Sequence, residues 1–586
     1  MTAKNSELPF GISRTKRLTC STAEDILYKE FRVFDQGFVR LVDYMGGDDS
    51  VVYAATGGKG LDLVNNINNY DLFNYLHMSE MKDPFDFVQV KLHMEIPISN
   101  ALFWVYRKQF RINEYSGRYS VMINKMQRYN RYVISHLDTE KRLSNKKIEE
   151  IADKITQIQD NSRENYDYLI EKDFARELSR IGLPLSNYTA FYLSASLNDL
   201  LDAVNLSKKR YRNNPDLSIV GDAVDDIIEN IAPLVTHSYW HQRERNNAEH
   251  LEKHLDLKVN YDLLEKNPEY DQKGRFGISD TKRLTVPEAE EILFKPELFL
   301  GNSWFMPTDY MGSDSSIVQS ARVSYGAGTK DVSTDKTLIR YLKRHKHTTP
   351  FEHVSLQFEA KTPIFNSPRQ CLRHRTMNRE GVLGEFVPLK DWYHVQEEQM
   401  REQSSANRQG RGHELDDITK NEIRGSLESV FRNQLKIREE IEDVSMPKFI
   451  SSEIAGVGFL NLWSANQDLH NAFHFLSLRA DKHAQYEIME LANRYMNFVS
   501  KVAPIAYQAW LDYEKNSVRI NDSEKDLIAK MIREGKTEIP LTWFREKNWT
   551  LPDKKTGTET LNREANELTE KIKSILRDEQ GNSENE

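Results

Sequence analysis

The sequence has very little cysteine and no long apolar run. Its 586 residues include two cysteines, Cys20 and Cys371, which are too few for a disulfide framework and are typical of a reducing compartment. No apolar run approaches the ~20 residues that span a bilayer. The first ten residues, MTAKNSELPF, lack the apolar stretch of a signal peptide. We therefore expect a cytoplasmic protein with no membrane partner.

Positively charged residues are also fewer than negatively charged ones. There are 80 Lys and Arg residues against 89 Asp and Glu residues, which gives a formal net charge of -9. Sequence-independent binding to nucleic acid requires a surplus of cationic side chains, so no nucleic-acid partner is expected. An apolar content of 39% and an aromatic content of 10% are globular values. The length indicates two to four domains.

One stretch of the sequence occurs twice. Phe10–Thr19 returns as Phe276–Thr285 with nine of ten residues identical, and Asp43–Gly46 returns as Asp309–Gly312 at the same spacing. The period is too long for a solenoid repeat, so each copy is predicted to be a complete domain. The predicted segments are a first copy over 1–240, a polar linker over 241–275, a second copy over 276–515, and a charged extension over 516–586.

Both copies predict the same order of elements. In the second copy, Leu338–Leu342 has helical spacing in a helix that must end before Pro350. Val354–Ala360 then alternates as a half-buried strand would, as Val88–Ile96 does in the first copy. The fold class is therefore α+β, with helices packed on a mainly antiparallel sheet. Further helices are predicted at the Ser367-Pro368 start signal and over Ile423–Asp443, Leu469–Tyr507, Glu524–Glu534 and Leu561–Arg577.

The first chemical constellation is a His-rich turn, His345–His353, followed by a strand and then Arg369–Arg375. If residues from Pro368 onward are helical, Gln370, Arg373 and His374 share one face. Arginine and histidine donors suit a phosphate or another anion. A solvated basic helix end is one alternative. A metal site is another, with the possible ligands His345, His347, His353 and His374, but the usual carboxylate or cysteine at fixed spacing is not evident, so no metal is predicted.

Two further constellations lie elsewhere. The segment Asn113–Ser120 combines a glycine, hydroxyls and an arginine that can cradle a phosphate, while Glu114 can accept hydrogen bonds from a base or sugar. Its alternative is a polar turn. The segment Leu478–Glu487 follows His470 and His474, which lie one helical turn apart and are either a ligand pair or polar contacts on a packed helix.

Together these segments resemble the flavin-dependent thymidylate synthases, the ThyX family, whose signature is RHRxxSxNExSxRY. The family also has an HxTPFEH-like turn upstream, and an RxxLPL segment and a helix ending in LRxDxHAQxE downstream. The resemblance covers roughly residues 10–210 and 276–515. Family enzymes of this class need no catalytic cysteine, and neither Cys20 nor Cys371 lies in a nucleophile motif.

Each copy retains a different part of the signature. The second copy has the intact Arg373-His374-Arg375 helix, and the first has Tyr106-Arg107-Lys108 in its place. Four other positions of this set are also kept only in the second copy. They are His347, Thr349 and Gln370, which correspond to Met81, Asp83 and Phe103, together with Arg479, which corresponds to Ser207.

The first copy retains the complementary set. It has the intact Asn113–Tyr119 loop and the RxxLPL arginine, Arg180. In the second copy Ser452 stands in place of Arg180, and the loop positions are replaced by Asn378, Glu380, Gly381, Leu383 and Glu385. In the family each active site lies between subunits of a homotetramer. The resemblance therefore implies a homodimer of this chain, a pseudo-tetramer of ThyX-like domains with two composite working sites.

The resemblance further implies reductive methylation of dUMP to dTMP, with FAD as cofactor and NADPH and methylenetetrahydrofolate as co-substrates. Arg479 is the implied catalytic residue, stabilising negative charge on the uracil ring. The implied substrate-binding residues are Gln370, Arg373, Glu114, Tyr115, Ser116, Gly117, Arg118, Arg180 and Arg479. The implied flavin-binding residues are His347, Thr349, Arg373, His374, Arg375, Asn113, Glu114, His470 and His474. The alternatives are a related flavoenzyme that modifies another pyrimidine deoxynucleotide and a non-catalytic nucleotide-binding paralogue.

Overall fold

The computed structural model divides the chain into two compact units, Met1–Trp510 and Leu511–Glu586. Beyond residue 244 the predicted linker lies outside the described residues, as does the predicted helix start at Ser367 and Pro368. The structure describes residues 11–58, 64, 67–107, 109–118, 120–129, 134, 143–209, 216–244, 277–324, 334–366, 370–371, 374, 376–381, 387–403, 411–443, 452, 454–481, 484–536, 538–547, 549–552, 559–561 and 565–573.

Two five-stranded antiparallel sheets form the frame of the first unit. The first sheet has the order β2-β3-β4-β6-β5 and the second the equivalent order β8-β9-β10-β14-β11. The strands of the first sheet are β2 (Glu30–Val33), β3 (Gly37–Met45), β4 (Gln89–Pro97), β5 (Arg111–Glu114) and β6 (Tyr188–Ser196). Those of the second are β8 (Glu297–Phe299), β9 (Ser303–Met311), β10 (Ser355–Pro363), β11 (Asn378–Glu380) and β14 (Leu460–Asp468).

Helices connect and cover the strands of each sheet. Those of the first half are α1 (Ser21–Ile26), α2 (Asp48–Ala55), α3 (Asn69–Met78), α4 (Ile98–Val105), α5 (Asn145–Glu171), α6 (Arg176–Ser179), α7 (Leu197–Lys209), α8 (Asp216–Ile231) and α9 (Pro233–Glu244). Those of the second half are α10 (Pro287–Glu290), α11 (Asp314–Ala321), α12 (Asp335–Arg344), α13 (Asp417–Asp443), α14 (Leu469–Arg479), α15 (Tyr486–Val502) and α16 (Pro504–Trp510). Two short strands, β12 (Arg401–Gln403) and β13 (Arg411–Glu414), form a separate antiparallel ribbon.

The helix predicted around Leu338–Leu342 is confirmed as α12, which ends before Pro350. Other predicted helix bounds were wrong. The helix predicted from Ile423 begins at Asp417, because Asp416 accepts a hydrogen bond from the backbone amide of Thr419 at 3.0 Å and caps it.

The predicted single helix over Leu469–Tyr507 is instead three helices, α14, α15 and α16. Gln485 has an extended backbone at the start of α15. Ala503 leaves helical geometry immediately before Pro504, which cannot donate the next helical hydrogen bond. The second break is signalled in the sequence by Pro504, and the first by the mainly polar stretch that precedes Tyr486.

The prediction of a half-buried strand was also wrong for β10. All nine residues of β10 are buried, including Gln357, Glu359 and Lys361 on the face predicted to meet solvent. The reason is that the other half of the unit covers this face. Tyr53 of α2 donates to the Glu359 carboxylate at 2.6 Å. In the reverse direction, Lys91 of β4 donates to the Gln319 side-chain oxygen of α11 at 3.0 Å.

The repeated segments themselves join the two halves. Strand β1 (Ser13–Thr15) pairs with β7 (Ser279–Thr281) in an antiparallel ribbon, so each copy of the repeat contacts the other. Arg17 then enters the second half, where its guanidinium donates to the Tyr310 and Leu284 carbonyls at 2.9 and 2.8 Å.

Arg283 makes the reciprocal contacts in the first half. It donates to the Tyr44 and Leu18 carbonyls at 2.9 and 2.8 Å. Each guanidinium also lies over a tyrosine ring of the opposite half, Arg17 at 4.2 Å from the Tyr310 centroid and Arg283 at 4.1 Å from that of Tyr44. Both arginines are almost completely buried. We refer to this reciprocal pair as the arginine clasp.

The second unit has its own small apolar core. Its elements are α17 (Asp522–Arg533), α18 (Leu541–Glu546), the hairpin β15 (Thr550–Pro552) and β16 (Glu559–Leu561), and a helix over 565–573. The helix predicted over Glu524–Glu534 is confirmed as α17. The helix predicted from Leu561 was wrong at its start, because Leu561 pairs with Thr550 in the hairpin. The core residues are Leu527, Met531, Trp543, Phe544, Trp549, Ala565 and Leu568.

No helix within the described ranges combines the length and apolar character needed to cross a bilayer.

The arginine clasp predicts a large difference between a substitution at Arg283, just after β7, and one at Arg14 in β1. Arg283→Met should lower the free energy of unfolding by about 3 kcal/mol or more, because it leaves buried carbonyls and the Glu24 carboxylate without a cationic partner. Arg14→Ala should change it by about 0.5 kcal/mol or less, since Arg14 and Asp280 form a solvent-exposed pair. Urea unfolding of the full chain measures both changes in the free energy of unfolding. Equal changes would contradict the role of Arg283 in the arginine clasp.

Candidate active site

The turn Thr349–His353 of the second half faces strand β5 of the first half. It is a 3-10 turn with Pro350 at its start, where the missing backbone N–H costs no hydrogen bond. The Thr349 hydroxyl donates to the Asn113 side-chain oxygen at 3.1 Å. The Asn113 amide donates in turn to the Ser320 carbonyl of the second half. One side chain from each predicted signature set is thereby brought into contact.

The loop after β5 is held in a compact turn. Thr189 donates to the Glu114 carboxylate at 2.8 Å, and the Tyr115 hydroxyl donates to the Val121 carbonyl at 2.5 Å. The Ser116 hydroxyl accepts from the Arg118 backbone amide at 3.3 Å.

Gly117 of this loop is buried against Arg180. A Cβ atom at this position would lie 3.1 Å from Arg180 Cδ and 2.5 Å from Met122 Sδ. The absence of a side chain at Gly117 is therefore what allows Arg180 to lie on the loop. Arg118 and Arg180 are both exposed on the surface.

Arg479, at the end of α14, is the centre of a second cluster. Its Nη1 donates to the Gln370 side-chain oxygen at 3.0 Å, and its Nε donates to His374 Nε2 at 3.3 Å. The His374 ring meets the rings of His474 and Phe475 edge to face, at centroid distances of 5.9 and 4.9 Å. The structure therefore brings together four of the residues predicted for the substrate and flavin sites.

His374 is held neutral in this cluster. Burial, together with the positive charge of Arg479, lowers the pKa of His374 to about 4. Because Nε2 accepts the Arg479 hydrogen bond, the neutral ring carries its proton on Nδ1. Because the ring is uncharged, it can hold the Arg479 guanidinium in place and does not itself attract an anion.

The other predicted residues are placed as follows. His347 is exposed, and its ring contacts Tyr341 edge to face at 6.0 Å. His470 is partly buried in the first turn of α14. Arg373 and Arg375 lie outside the described residues. In the part of the chain that is described, no group of three or more His, Cys, Asp or Glu side chains is arranged to hold a metal ion.

Three residues of this region had no functional assignment from the sequence. His353, considered only as a metal ligand, is fully buried, and its Nδ1 is 2.7 Å from the Ser194 hydroxyl of the first half. Arg111 of β5 donates to the Ser355 hydroxyl of the second half at 3.4 Å. The HxTPFEH-like motif contains His353, but no sequence pattern pairs Ser194 or Arg111 with the other half.

The carboxyl of Glu352 lies in the same turn. Burial, reinforced by the negative charge of Asp468, raises the pKa of Glu352 to about 7, and Arg111 opposes the shift. A proton is therefore available on this side chain near neutral pH, next to the contact between the halves.

The neutral state of His374 predicts a pH effect on stability. The pKa of this ring is about 4 in the folded protein against an ordinary value of 6.5, so the unfolded chain binds the extra proton first as pH falls. The stability of the folded chain should therefore decline between about pH 6.5 and pH 4. His374→Gln keeps an acceptor for Arg479 but cannot titrate.

The melting temperature of His374→Gln minus that of the unsubstituted chain should thus increase as pH is lowered from 7 to 5. Differential scanning calorimetry at several pH values measures this difference. If this difference in melting temperature stayed constant from pH 7 to pH 5, His374 would not be held neutral.

Comparison with known proteins identifies the family. The sequence profile described as "Thymidylate synthase complementing protein" matches residues 40–234 and again residues 308–505. The "Flavin-dependent thymidylate synthase" of Wolbachia pipientis wMel is 40% identical over 254 residues, covering 43% of this chain and 89% of that protein. The protein of the same description from Rickettsia bellii (strain RML369-C) is 36% identical over 285 residues, covering 46% of this chain and 96% of that protein.

Solved structures are also similar. The UMP/dUMP methylase PolB from Streptomyces cacaoi, crystallised with 5-Br UMP, is 24% identical, with a TM-score of 0.33, and the match covers 36% of this chain and 96% of that one.

The two profile matches span more than half of the chain, and both relatives are matched over most of their own length. The chain therefore belongs to the flavin-dependent thymidylate synthases, a family of methyltransferase enzymes that use a flavin.

Proposed function

We propose that this chain catalyses the reductive methylation of dUMP at C5 to give dTMP, using methylenetetrahydrofolate, NADPH and FAD. The observation that supports a composite site is the hydrogen bond from Thr349 to Asn113 at 3.1 Å. Thr349 belongs to the signature set that only the second half retains, and Asn113 to the set that only the first half retains. Their contact within one chain joins the two incomplete sets.

The residues that we assign to the cofactor suit a flavin dinucleotide. Those that the structure describes are mainly hydrogen-bond donors and imidazoles, which suit the phosphates and the polar edge of the cofactor. We assign to it Asn113, Glu114, His347, Thr349, His374, His470 and His474, together with Arg373 and Arg375 of the same motif. The flavin, when bound, supplies the hydride that no side chain can provide.

The loop of the first half is proposed to bind the dUMP phosphate. Arg118 and Arg180 provide positive charge, and the Ser116 hydroxyl and the Gly117 amide are further donors. The close approach of Arg180 to Gly117 keeps this charge on the loop. Glu114 and Tyr115 complete the substrate side of the loop, with Gln370 and Arg373 on the opposite wall.

Arg479 is proposed to act on the uracil ring. A guanidinium beside the ring stabilises the negative charge that develops when N3 ionises, and this charge makes C5 nucleophilic. Gln370 and the neutral His374 hold the guanidinium through two of its donors, so its orientation does not depend on the substrate.

We also propose that the two halves arose by tandem duplication, with copies over 1–240 and 276–515, a linker over 241–275 and an extension over 516–586. The equal strand order of the two sheets and the two profile matches support this view. Two chains would then form a homodimer equivalent to a tetramer of single domains. Each chain would contribute one working site rather than two.

The composite site predicts unequal effects at related positions. Arg118→Ala and Arg479→Ala should each lower kcat/KM for dUMP by about a hundredfold, because each removes a charged donor from the same site. Arg107→Ala is the matched control, since Arg107 stands where the second copy has His374. It should leave kcat/KM within about twofold.

Tritium release from C5-labelled dUMP measures these effects, and labelled dCMP tests the choice of base. Near-normal activity of either arginine variant would contradict the composite site, as would an equal loss in Arg107→Ala. Release from dCMP but not from dUMP would contradict the proposed substrate.

A further inference from the structure

Glu487 is a buried carboxylate that no proposed step uses. It lies in the first turn of α15, and the residue is 1% exposed. Burying an ionised carboxylate is unfavourable unless donors surround it. Three donors do so here. Arg411 of β13 and the Tyr393 hydroxyl approach Oε1 at 2.6 and 3.2 Å, and the Gln485 amide approaches Oε2 at 2.9 Å.

A chain of hydrogen bonds runs from Glu487 to Arg479. Gln485 donates to Glu487, and its side-chain oxygen accepts from the Gln370 amide at 2.9 Å. The Gln370 oxygen accepts in turn from Arg479 Nη1 at 3.0 Å. Two glutamine amides therefore link a carboxylate to a guanidinium.

The two ends of this chain fix the direction of every bond in it. A carboxylate only accepts hydrogen bonds, and a guanidinium only donates them. Gln485 must therefore turn its NH2 group toward Glu487 and its oxygen toward Gln370. Gln370 must then turn its own oxygen toward Arg479. Rotating either amide by half a turn would place two donors or two acceptors face to face.

We propose that Glu487 is a positioning residue, which sets the orientation of the Arg479 guanidinium through Gln485 and Gln370. Arg411 donates to the Glu487 carboxylate at 2.6 Å and so holds it as the acceptor at this end of the chain. The inference rests on the proposed function, because it gives Arg479 a ligand, the uracil ring of dUMP. It extends that function to three side chains outside the site, Glu487, Gln485 and Arg411.

A merely structural role for Glu487 makes a different prediction. A carboxylate at a helix N-terminus stabilises the helix dipole, so its loss would lower stability without a specific effect at Arg479. Glu490 provides the matched control. It lies three residues further along the same helix and pairs with Arg494. In the described contacts it has no bond to the Gln485–Gln370 chain.

The test is a double-mutant cycle on dUMP binding by the full chain, measured by isothermal titration calorimetry into the millimolar range. Glu487→Gln should weaken dUMP binding about tenfold, because an amide at this position can donate and lets both glutamines rotate. Glu490→Gln should stay within about twofold. In an Arg479→Ala background, Glu487→Gln should cause no further loss.

Gln485→Met supplies a second route to the same measurement. Gln485 is exposed, so its replacement leaves the core intact while it breaks the chain in the middle. It should reproduce the Glu487→Gln effect with an unchanged melting temperature, and the effect should again vanish without Arg479. This variant decides the question if Glu487→Gln does not fold.

Each outcome has a distinct meaning. An unsubstituted chain that does not bind dUMP would contradict the proposed function itself. If that chain binds dUMP, equal binding by Glu487→Gln or Gln485→Met would overturn the positioning role. So would a loss that persists at full size in the Arg479→Ala background.

Discussion

The reciprocal burial of Arg17 and Arg283 is the interaction on which the rest of the first unit depends. Each guanidinium is removed from water and satisfied by carbonyl groups and a tyrosine ring of the opposite half. A buried guanidinium without these partners would be strongly unfavourable. Neither half can therefore keep its arginine in place alone, and the two sheets are held as a pair.

This pairing explains why the central strand β10 is buried on both faces. It also makes the two halves chemically complementary. Strand β4 has Lys91 in the contact region, and β10 has Glu359. Burial lowers the pKa of Lys91 to about 7, although the charge of Asp43 opposes the shift. Gln357 of β10 stands at the position of Lys91, and His93 of β4 at that of Glu359, so each half presents different groups to the other.

The same asymmetry extends to the active site. Thr349 of one half meets Asn113 of the other, whereas the related positions in the reverse pairing are the carboxylates Asp83 and Glu380. A pair of acids is unsuited to a phosphate-bearing ligand. Division of the signature between the halves is therefore consistent with one site per chain, built where unlike retained sets meet.

Much of this organisation is predictable from the sequence. The repeated segment Phe10–Thr19 is enough to predict two related domains, because its identity and spacing leave little room for chance. That the repeats pair with each other as β1 and β7 is a tertiary feature, which no local pattern contains. Gln357 and Glu359 likewise suggest that one face of their strand meets solvent. Only the fold shows that the first half of the unit covers this face.

The candidate site also has features that the sequence predicts and features that only the fold shows. The motif LRxDxHAQxE includes Arg479, Gln485 and Glu487 together, so their proximity is readable from the sequence. Arg411 is distant in the chain, and its contact with Glu487 follows only from the fold. Arg111 and Ser194 are similar cases, since each reaches the other half through the sheet pairing.

The paired halves are proposed to form one composite site per chain. The ratio of bound flavin to protein chain in the purified protein tests this proposal, and flavin absorbance with an independent protein assay measures it. We expect one flavin per chain at saturation. A ratio of two would show that both pairings hold the cofactor and would contradict the division of the site between the halves.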